Sequence, residues 1–116
     1  MKRGEWILMT FFLLSWTASA VGQKKWDGEG LDSLWSNERN WFPDGIPLPG
    51  DDVVIDNERV SGMYKIVLPS GLNAITINSL SILPGPGHSI VVELPSSNIA
   101  SPALTIASTG NSVRIG

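Results

Sequence analysis

Cysteine is absent from the 116-residue chain, and histidine and charged residues are scarce. Without thiols the protein has no disulfide framework, no thiolate zinc site and no lipid-modified cysteine. Eight Lys and Arg residues face eleven Asp and Glu residues, so there is neither the basic stripe that nucleic acid requires nor the acidic excess of a disordered tail. We expect no nucleic-acid partner, and a chain of this length forms one domain at most.

Long apolar runs are also scarce, and the longest stands at the amino terminus. Lys2-Arg3 precedes a mostly apolar stretch from Trp6 to Trp16, and residues 17–20 end the segment with small side chains. This order predicts a helical secretory signal peptide over 1–20, cleaved after Ala20. An uncleaved anchor is the alternative, but a bilayer core takes about 20 apolar residues to span. We therefore expect a secreted or cell-surface protein without a stable membrane span.

Residues 21–50 are rich in Trp, Gly, Asp, Asn and Pro, and they show no sustained period of either strand or helix. Such a segment predicts turns packed around aromatic side chains. We expect a single short helical turn over 38–40, capped by a side-chain oxygen of Ser36 or Asn37. This turn would deliver Trp41 to the interior.

From residue 51 onward, short β-branched runs alternate with Gly, Pro, Ser and Asn, which is typical of many short strands. Tyr64, Ile66 and Leu68 share one face of their run, whereas Glu93 points outward from its own. The Pro-Gly-Pro-Gly sequence over 84–87 predicts a corner. The predicted strands lie at about 52–55, 64–68, 74–77, 80–83, 89–94, 103–106 and 112–115.

Several of these strands share the form small, apolar, polar, Ile, as in 74–77 and 103–106. The inward parity changes between Ile77 and Leu80, as expected where a chain turns the corner of a coil. The separation of Leu80 from Leu104 along the chain falls within the range of stacked repeats. The pattern favours a β-solenoid, with a small β-sandwich as the alternative.

Three motifs precede and open these strands: WDGEG from Trp26, WSNERNW over 35–41 and GIPLPGDDVVI over 45–55. Together they resemble the segment after the signal peptide in large secreted bacterial surface proteins, including autotransporter-like and type IX-secreted adhesin-type proteins. The resemblance covers about residues 24–106. It implies an all-β fold that is the start of a right-handed parallel β-helix, with a Trp-rich amino-terminal cap. It also implies an adhesin-like, non-catalytic role.

The chain therefore divides into a signal peptide at 1–20, a Trp- and Gly-rich capping segment at 21–50 and first solenoid coils at 51–116. Stacked repeats need about three or more units before each buries its apolar faces, whereas residues 74–116 make about two coils. Residues 113–116 would also leave an unpaired strand edge. We expect the chain to be an amino-terminal fragment of a longer solenoid.

Two groups of residues are candidates for a functional role. Trp26, Trp35 and Trp41 either cap the open end of the solenoid by burial or form an exposed platform that stacks on sugar rings. Asp51 and Asp52 either form the turn that leads into a strand or contribute oxygen ligands to calcium, although the ordered acidic loop of a calcium site is missing.

No catalytic residue and no cofactor site is identified in the sequence. His88 lacks metal or nucleophile partners and is expected in an exposed loop, no serine lies in a G-x-S-x-G elbow, and no carboxylate pair stands at a defined spacing. We predict a non-catalytic cap and first coils of a β-helical surface protein. The alternatives are a carbohydrate-binding module and the leading part of a β-helical polysaccharide-active enzyme. Its partners would be surface polysaccharide, another protein or a second copy of the chain.

Overall fold

The computed structural model describes residues 22–108 and 113–116, and the predicted signal peptide at 1–20 lies outside them. Within the described residues the protein is all-β, with nine strands and one three-residue 3₁₀ turn. The strands are β1 Gln23–Trp26, β2 Trp41–Phe42, β3 Asp52–Asp56, β4 Tyr64–Val67, β5 Ile75–Ile77, β6 Ser79–Leu83, β7 Ile90–Glu93, β8 Leu104–Ile106 and β9 Val113–Ile115; the 3₁₀ turn is Glu38–Asn40.

Parallel pairing arranges these strands as a β-solenoid of about three turns. The largest sheet has the order β2-β1-β3-β6-β9, in which β1 and β2 are antiparallel and the other neighbours are parallel. β4 pairs with β7 and β5 pairs with β8, both in parallel. One coil thus contains β3, β4 and β5, the next contains β6, β7 and β8, and β9 begins another. The predicted solenoid is confirmed, and the β-sandwich alternative is wrong.

The register stacks apolar side chains in rows from coil to coil. Val53 pairs with Leu80 of the next coil, and Leu80 pairs with Val113. Leu104 instead pairs with Ile75 on another face, so the predicted repeat that relates Leu80 to Leu104 is wrong. The sequence pattern does not show which face a strand occupies, because strands on different faces of the coil share the same small, apolar, polar, Ile form.

The strands after residue 51 confirm the sequence prediction, with described ends that differ by at most one residue. The predicted change of parity is also confirmed, since Ile77 and Leu80 are both buried on either side of a corner. The expectation of turns without strands in 21–50 is wrong, because β1 and β2 lie there. β1 is a strand because it pairs with its neighbours, although its sequence lacks apolar alternation. Lys24 occupies the row of Val53, and its Nζ donates to the Pro43 carbonyl at 2.8 Å.

The core is best covered in the first coil and becomes more exposed along the solenoid. Ile55, Ile66 and Ile77 of the first coil are fully buried. In the second coil Leu80 is buried, whereas the other inward side chains are only partly buried, namely Ile82, Ile90, Val92, Leu104 and Ile106. Burial therefore falls from the amino-terminal end of the solenoid to the other.

Asn57 ties two coils together at the corner after β3. Its Nδ2 donates to the carbonyls of Val60 at 2.8 Å and Gly62 at 2.9 Å, which closes the turn. Its Oδ1 accepts the N–H of Gly85 at 2.7 Å from the corresponding corner of the next coil. One side chain thus satisfies three backbone groups that the corner removes from the ladder.

We expect Asn57→Ala to lower the free energy of unfolding by about 1–3 kcal/mol, because it leaves backbone groups of the corner without partners. Asn73→Ala is the matched control. Asn73 is exposed and its side chain makes one bond, to the Ser70 carbonyl, so its loss should cost within about 0.5 kcal/mol. Urea denaturation followed by circular dichroism measures both, and equal losses would contradict the assigned role.

Candidate functional site

Trp26, Trp35 and Trp41, together called the tryptophan cap, form one cluster at the amino-terminal end of the solenoid. Trp26 pairs with Trp41 across β1 and β2, and their rings meet edge to face with centroids 5.1 Å apart. The ring centroids of Trp35 and Trp41 are 4.8 Å apart, and these rings also meet edge to face. The three side chains are 2%, 1% and 0% exposed. They belong to the core over the first coil.

Hydrogen bonding and stacking fix the tryptophan cap in place. The indole Nε1 of Trp41 donates to the Trp35 carbonyl at 2.9 Å, while Trp26 stacks on Tyr64 of the first coil at 6.4 Å. The Tyr64 hydroxyl donates to the Asp56 carbonyl at 2.5 Å. Burial, and secondarily the charge of Asp56, raise the pKa of Tyr64. The phenol therefore stays neutral and joins the cap to the corner after β3.

The predicted helical turn is confirmed, and it places Trp41 as expected. Asn37 caps the 3₁₀ turn by accepting the N–H of Arg39 at 3.0 Å, and Trp41 follows the turn into the interior. Both predicted elements of the WSNERNW motif thus have a local physical origin, a side-chain cap and a buried aromatic ring.

Asn40 is a fully buried residue whose importance the sequence did not reveal. Its Nδ2 donates to Asp32 Oδ1 at 2.7 Å and to the Leu34 carbonyl at 3.0 Å, and its Oδ1 accepts the Gly30 N–H at 2.8 Å. A Cβ at Gly30 would lie 2.5 Å from Asn37 Nδ2 and 2.7 Å from Asn40 Oδ1, so a larger residue would displace these side chains. Hydrogen bonds from Asn37, then Leu34 and Asn40, lower the pKa of Asp32. These contacts hold the loop between β1 and the turn against the cap.

The two interpretations of the tryptophans make different demands on exposure. A sugar-stacking platform requires an open ring face, whereas an end cap requires burial. In the structure the rings contact one another and Tyr64, and each is at most 2% exposed. The geometry therefore offers no open indole face among these three residues.

Asp51 and Asp52 lie at the start of β3 and bond to different partners. The buried Asp51 carboxylate accepts the N–H groups of Gly22 at 2.9 Å and Leu48 at 2.8 Å, and the Asp51 N–H donates to the Leu48 carbonyl. Asp52 Oδ1 accepts the Ser79 hydroxyl at 2.6 Å and Asn78 Nδ2 at 2.7 Å. Both carboxylates therefore join neighbouring segments at one corner.

Charged side chains of the described residues form ion pairs, and they form no group of metal ligands there. Over residues 22–108 and 113–116, no three His, Asp or Glu side chains are placed to hold a metal ion. The Lys25 Nζ forms ion pairs with Glu58 Oε1 at 2.6 Å and with Asp56 Oδ2 at 3.1 Å. The hydrogen bond that Lys25 donates to the Glu58 carboxylate is the main cause that raises the pKa of Lys25. His88 is exposed beside the Pro-Gly-Pro-Gly corner, as predicted. The Lys25 contacts thus join β1 to the end of β3 and to the corner that follows it.

A cleft beside the tryptophan cap is a feature that the sequence did not predict. It has a volume of about 550 Å³ and lies between the capping segment and the strand β5. We call it the cap cleft. The sequence carries no signal for it because its lining comes from segments that are distant along the chain. The lining includes Trp35, Ile46, Pro47, Pro49, Ala74, Ile75 and Thr76.

Exchange of each cap indole for a phenyl ring separates packing from hydrogen bonding. Trp41→Phe removes the donor to the Trp35 carbonyl, whereas the Nε1 of Trp35 is buried and has no hydrogen-bond partner in the described part of the chain. We expect Trp41→Phe to be more destabilising than Trp35→Phe by about 1–3 kcal/mol, because only the former leaves a new unpaired group. Thermal denaturation measures the difference, and a larger loss for Trp35→Phe would contradict this account.

We expect Asp52 to contribute to the loss of folding stability at acidic pH. Hydrogen bonds from Ser79 and then Asn78 lower the pKa of Asp52 in the folded state, so its contribution is complete above the unfolded pKa of about 3.9. That contribution is lost as the pH falls through the lower, folded-state pKa. We expect the melting temperature of Asp52→Asn to fall less than that of the unchanged protein between about pH 5 and pH 2. Parallel pH profiles in that range would show that Asp52 makes no such contribution.

Comparison with known proteins found no similar protein. No protein-family model, no curated protein and no solved structure matches the chain. The helical structure among the described residues is limited to the three-residue 3₁₀ turn, and none of it is a candidate membrane span. The described residues form an all-β fold whose parallel sheets make a β-solenoid.

Proposed function

We propose that the chain is the amino-terminal cap and the first coils of a secreted or cell-surface β-solenoid protein, and that its role is structural. The observation that carries this proposal is the asymmetry of the solenoid core. The tryptophan cap is at most 2% exposed at one end, whereas the inward side chains of the second coil other than Leu80 are only partly buried. One end is sealed, and the other presents an apolar surface suited to a further coil.

At the sealed end, the edge of the largest sheet has features that resist strand addition. β2 has two residues, runs antiparallel to β1 and is followed by Pro43. Short edge strands and proline both prevent pairing with other strands, since proline has no N–H to donate. The largest sheet therefore begins at β2, and stacking proceeds from β1 toward β9.

The opposite face has the features of a stacking surface. β7 and β8 each pair with one strand among the described residues and leave their other edges free. Partly buried Ile90, Val92 and Leu104 lie behind these edges. Each coil of a solenoid gains stability from its neighbours, so a coil added here would bury these residues and pair these edges.

The predicted signal peptide and the resemblance to bacterial adhesin-type proteins support an extracellular, adhesin-like setting for this cap. The pairing of charged groups with structural partners supports a non-catalytic role. β-Solenoids carry many activities, so the fold by itself assigns none of them. On this proposal, the chain begins a regular stack of coils and buries the apolar side chains of the first coil.

The stacking surface can be tested by adding one coil to the chain. Ile115 pairs with Ile82, and Gly116 donates to the Ile82 carbonyl in the position of Leu83. A copy of residues 84–106 placed after Gly116 would therefore continue the third coil in register. We expect the melting temperature to rise by more than about 4 °C, which corresponds to about 1 kcal/mol in a domain of this size.

The control is an extension of the same composition in scrambled order, which keeps the length but destroys the inward and outward alternation. It should leave the melting temperature unchanged and add no strand signal in circular dichroism. If the ordered extension stays unfolded, or if both extensions stabilise equally, the second coil is not a stacking surface and the proposal is wrong.

A further inference from the structure

Two of the three faces of the first coil are covered on the amino-terminal side. β1 pairs with β3 on the first face. On the second face, the Val67 N–H donates to the Ser33 carbonyl at 2.7 Å, and the Trp35 N–H donates to the Val67 carbonyl at 3.0 Å. On the third face, β5 pairs with β8, and no strand among the described residues pairs with its other edge. The third face therefore has an open edge.

The backbone of this edge points into the cap cleft. The Ile75 N–H donates to the Ala103 carbonyl, and the Ile77 carbonyl accepts the Ala107 N–H, both at 2.9 Å on the side of β8. The N–H and carbonyl of one residue in a strand point to the same side, and those of the next residue point to the opposite side, so the N–H and carbonyl of Thr76 point away from β8. Thr76 lines the cap cleft. A free N–H and carbonyl at a sheet edge form a template for another strand.

The opposite lining of the cap cleft explains why the edge stays open. Pro47 and Pro49 lie there, and proline has no N–H with which to complete a ladder. Trp35 also lines the cleft, and its buried Nε1 lacks a hydrogen-bond partner among the described residues. The cleft thus has an unpaired strand edge on one side and prolines without N–H groups on the other.

We propose that the cap cleft binds an extended peptide segment of a partner protein, which adds as a strand to the free edge of β5. Addition of a strand to a sheet edge is a general mode of peptide recognition. The cleft volume of about 550 Å³ lies in the range of about 300–1,000 Å³ that is usual for ligand sites. This proposal concerns a different face from the stacking surface of the second coil.

The lining specifies the chemistry of the bound segment. It contains no charged side chain, so the segment is uncharged where it enters the cleft. Side chains that align with Ile75 would point inward, whereas those that align with the exposed Thr76 would point to solvent. The segment therefore alternates apolar and polar residues over three or four positions, about 10–13 Å of strand.

A single strand fits this edge better than a folded coil of a second copy. A coil stacks through all of its faces at once, and β1 and the segment 33–35 already cover two faces of the first coil. Only the edge of β5 remains for pairing. The occupant is therefore one extended segment contributed by a partner.

The test uses the full chain labelled with ¹⁵N and a synthetic peptide that copies residues 103–107, Ala-Leu-Thr-Ile-Ala, with a lysine at each end. These residues carry β8, the natural neighbour of β5. We expect saturable shifts of the Ala74 and Thr76 amide signals and at least tenfold slower hydrogen exchange at Thr76. A peptide with two adjacent amides N-methylated should bind at least tenfold more weakly, because it loses a donor whichever side faces β5.

Substitutions in the protein locate the binding edge. Thr76→Pro removes the N–H that points into the cleft and keeps the bonds to β8, since proline is tolerated at such edge positions. Ala74→Trp fills the cleft from an exposed position, which keeps the test valid if the proline variant fails to fold. Thr105→Trp places the same ring on the exposed partner of Thr76. We expect at least tenfold weaker binding for the first two variants and unchanged binding for Thr105→Trp.

Several results would overturn the proposal. One is the absence of saturable shifts up to about 1 mM peptide, and others are shifts confined to β9 or binding unchanged in Ala74→Trp. Movement of the Thr76 signal with protein concentration alone would show that a second copy occupies the edge. The coil extension probes the other end of the solenoid, so failure of this proposal and failure of the cap proposal are distinguishable.

Discussion

Burial of the first apolar layer is the constraint on which the rest of this solenoid depends. A parallel stack covers each layer with the next coil, but the first layer has no preceding coil to cover it. Trp41, fully buried and in edge contact with both Trp26 and Trp35, supplies that cover. The 3₁₀ turn and the buried Asn40 hold the ring in place through hydrogen bonds to the surrounding loop. The irregular segment before β3 is therefore part of the core.

Polar residues at the corners connect successive coils. Asn57 bonds across the stack to Gly85, Asp52 to Asn78 and Ser79, and Asp51 to the segment before β1. Carboxylates and amides in turns resemble ligand sets when only the sequence is considered. Here their oxygens and amide groups satisfy the backbone and side-chain groups that corners leave unpaired. This explains why acidic residues cluster near residue 51 without forming a group of metal ligands in the described part of the chain.

The capping segment pairs with two of the three faces of the first coil and leaves the third unpaired. The two proposed roles therefore involve different parts of the solenoid. β1 and the segment 33–35 complete two faces, whereas the proline-containing loop passes β5 without pairing and leaves the cap cleft. A structural cap needs the apolar layer to be covered, which the indoles accomplish without a third strand. The unpaired edge is thus compatible with a stable end and available for recognition.

The sequence by itself determined the strands after residue 51, the corners between them, the capped turn at 38–40 and the burial of Trp41. These features depend on local alternation, on proline and glycine, and on side-chain capping, which short segments encode. Only the tertiary structure decided that β1 is a strand, that Leu104 stacks on Ile75, and that a cleft lies beside β5. Each of these depends on which segments meet once the chain has completed a full coil. Pairing of backbone groups between coils leaves no periodic trace in Gln23–Trp26, and chemically similar strands on different faces cannot be distinguished until the chain closes its turns.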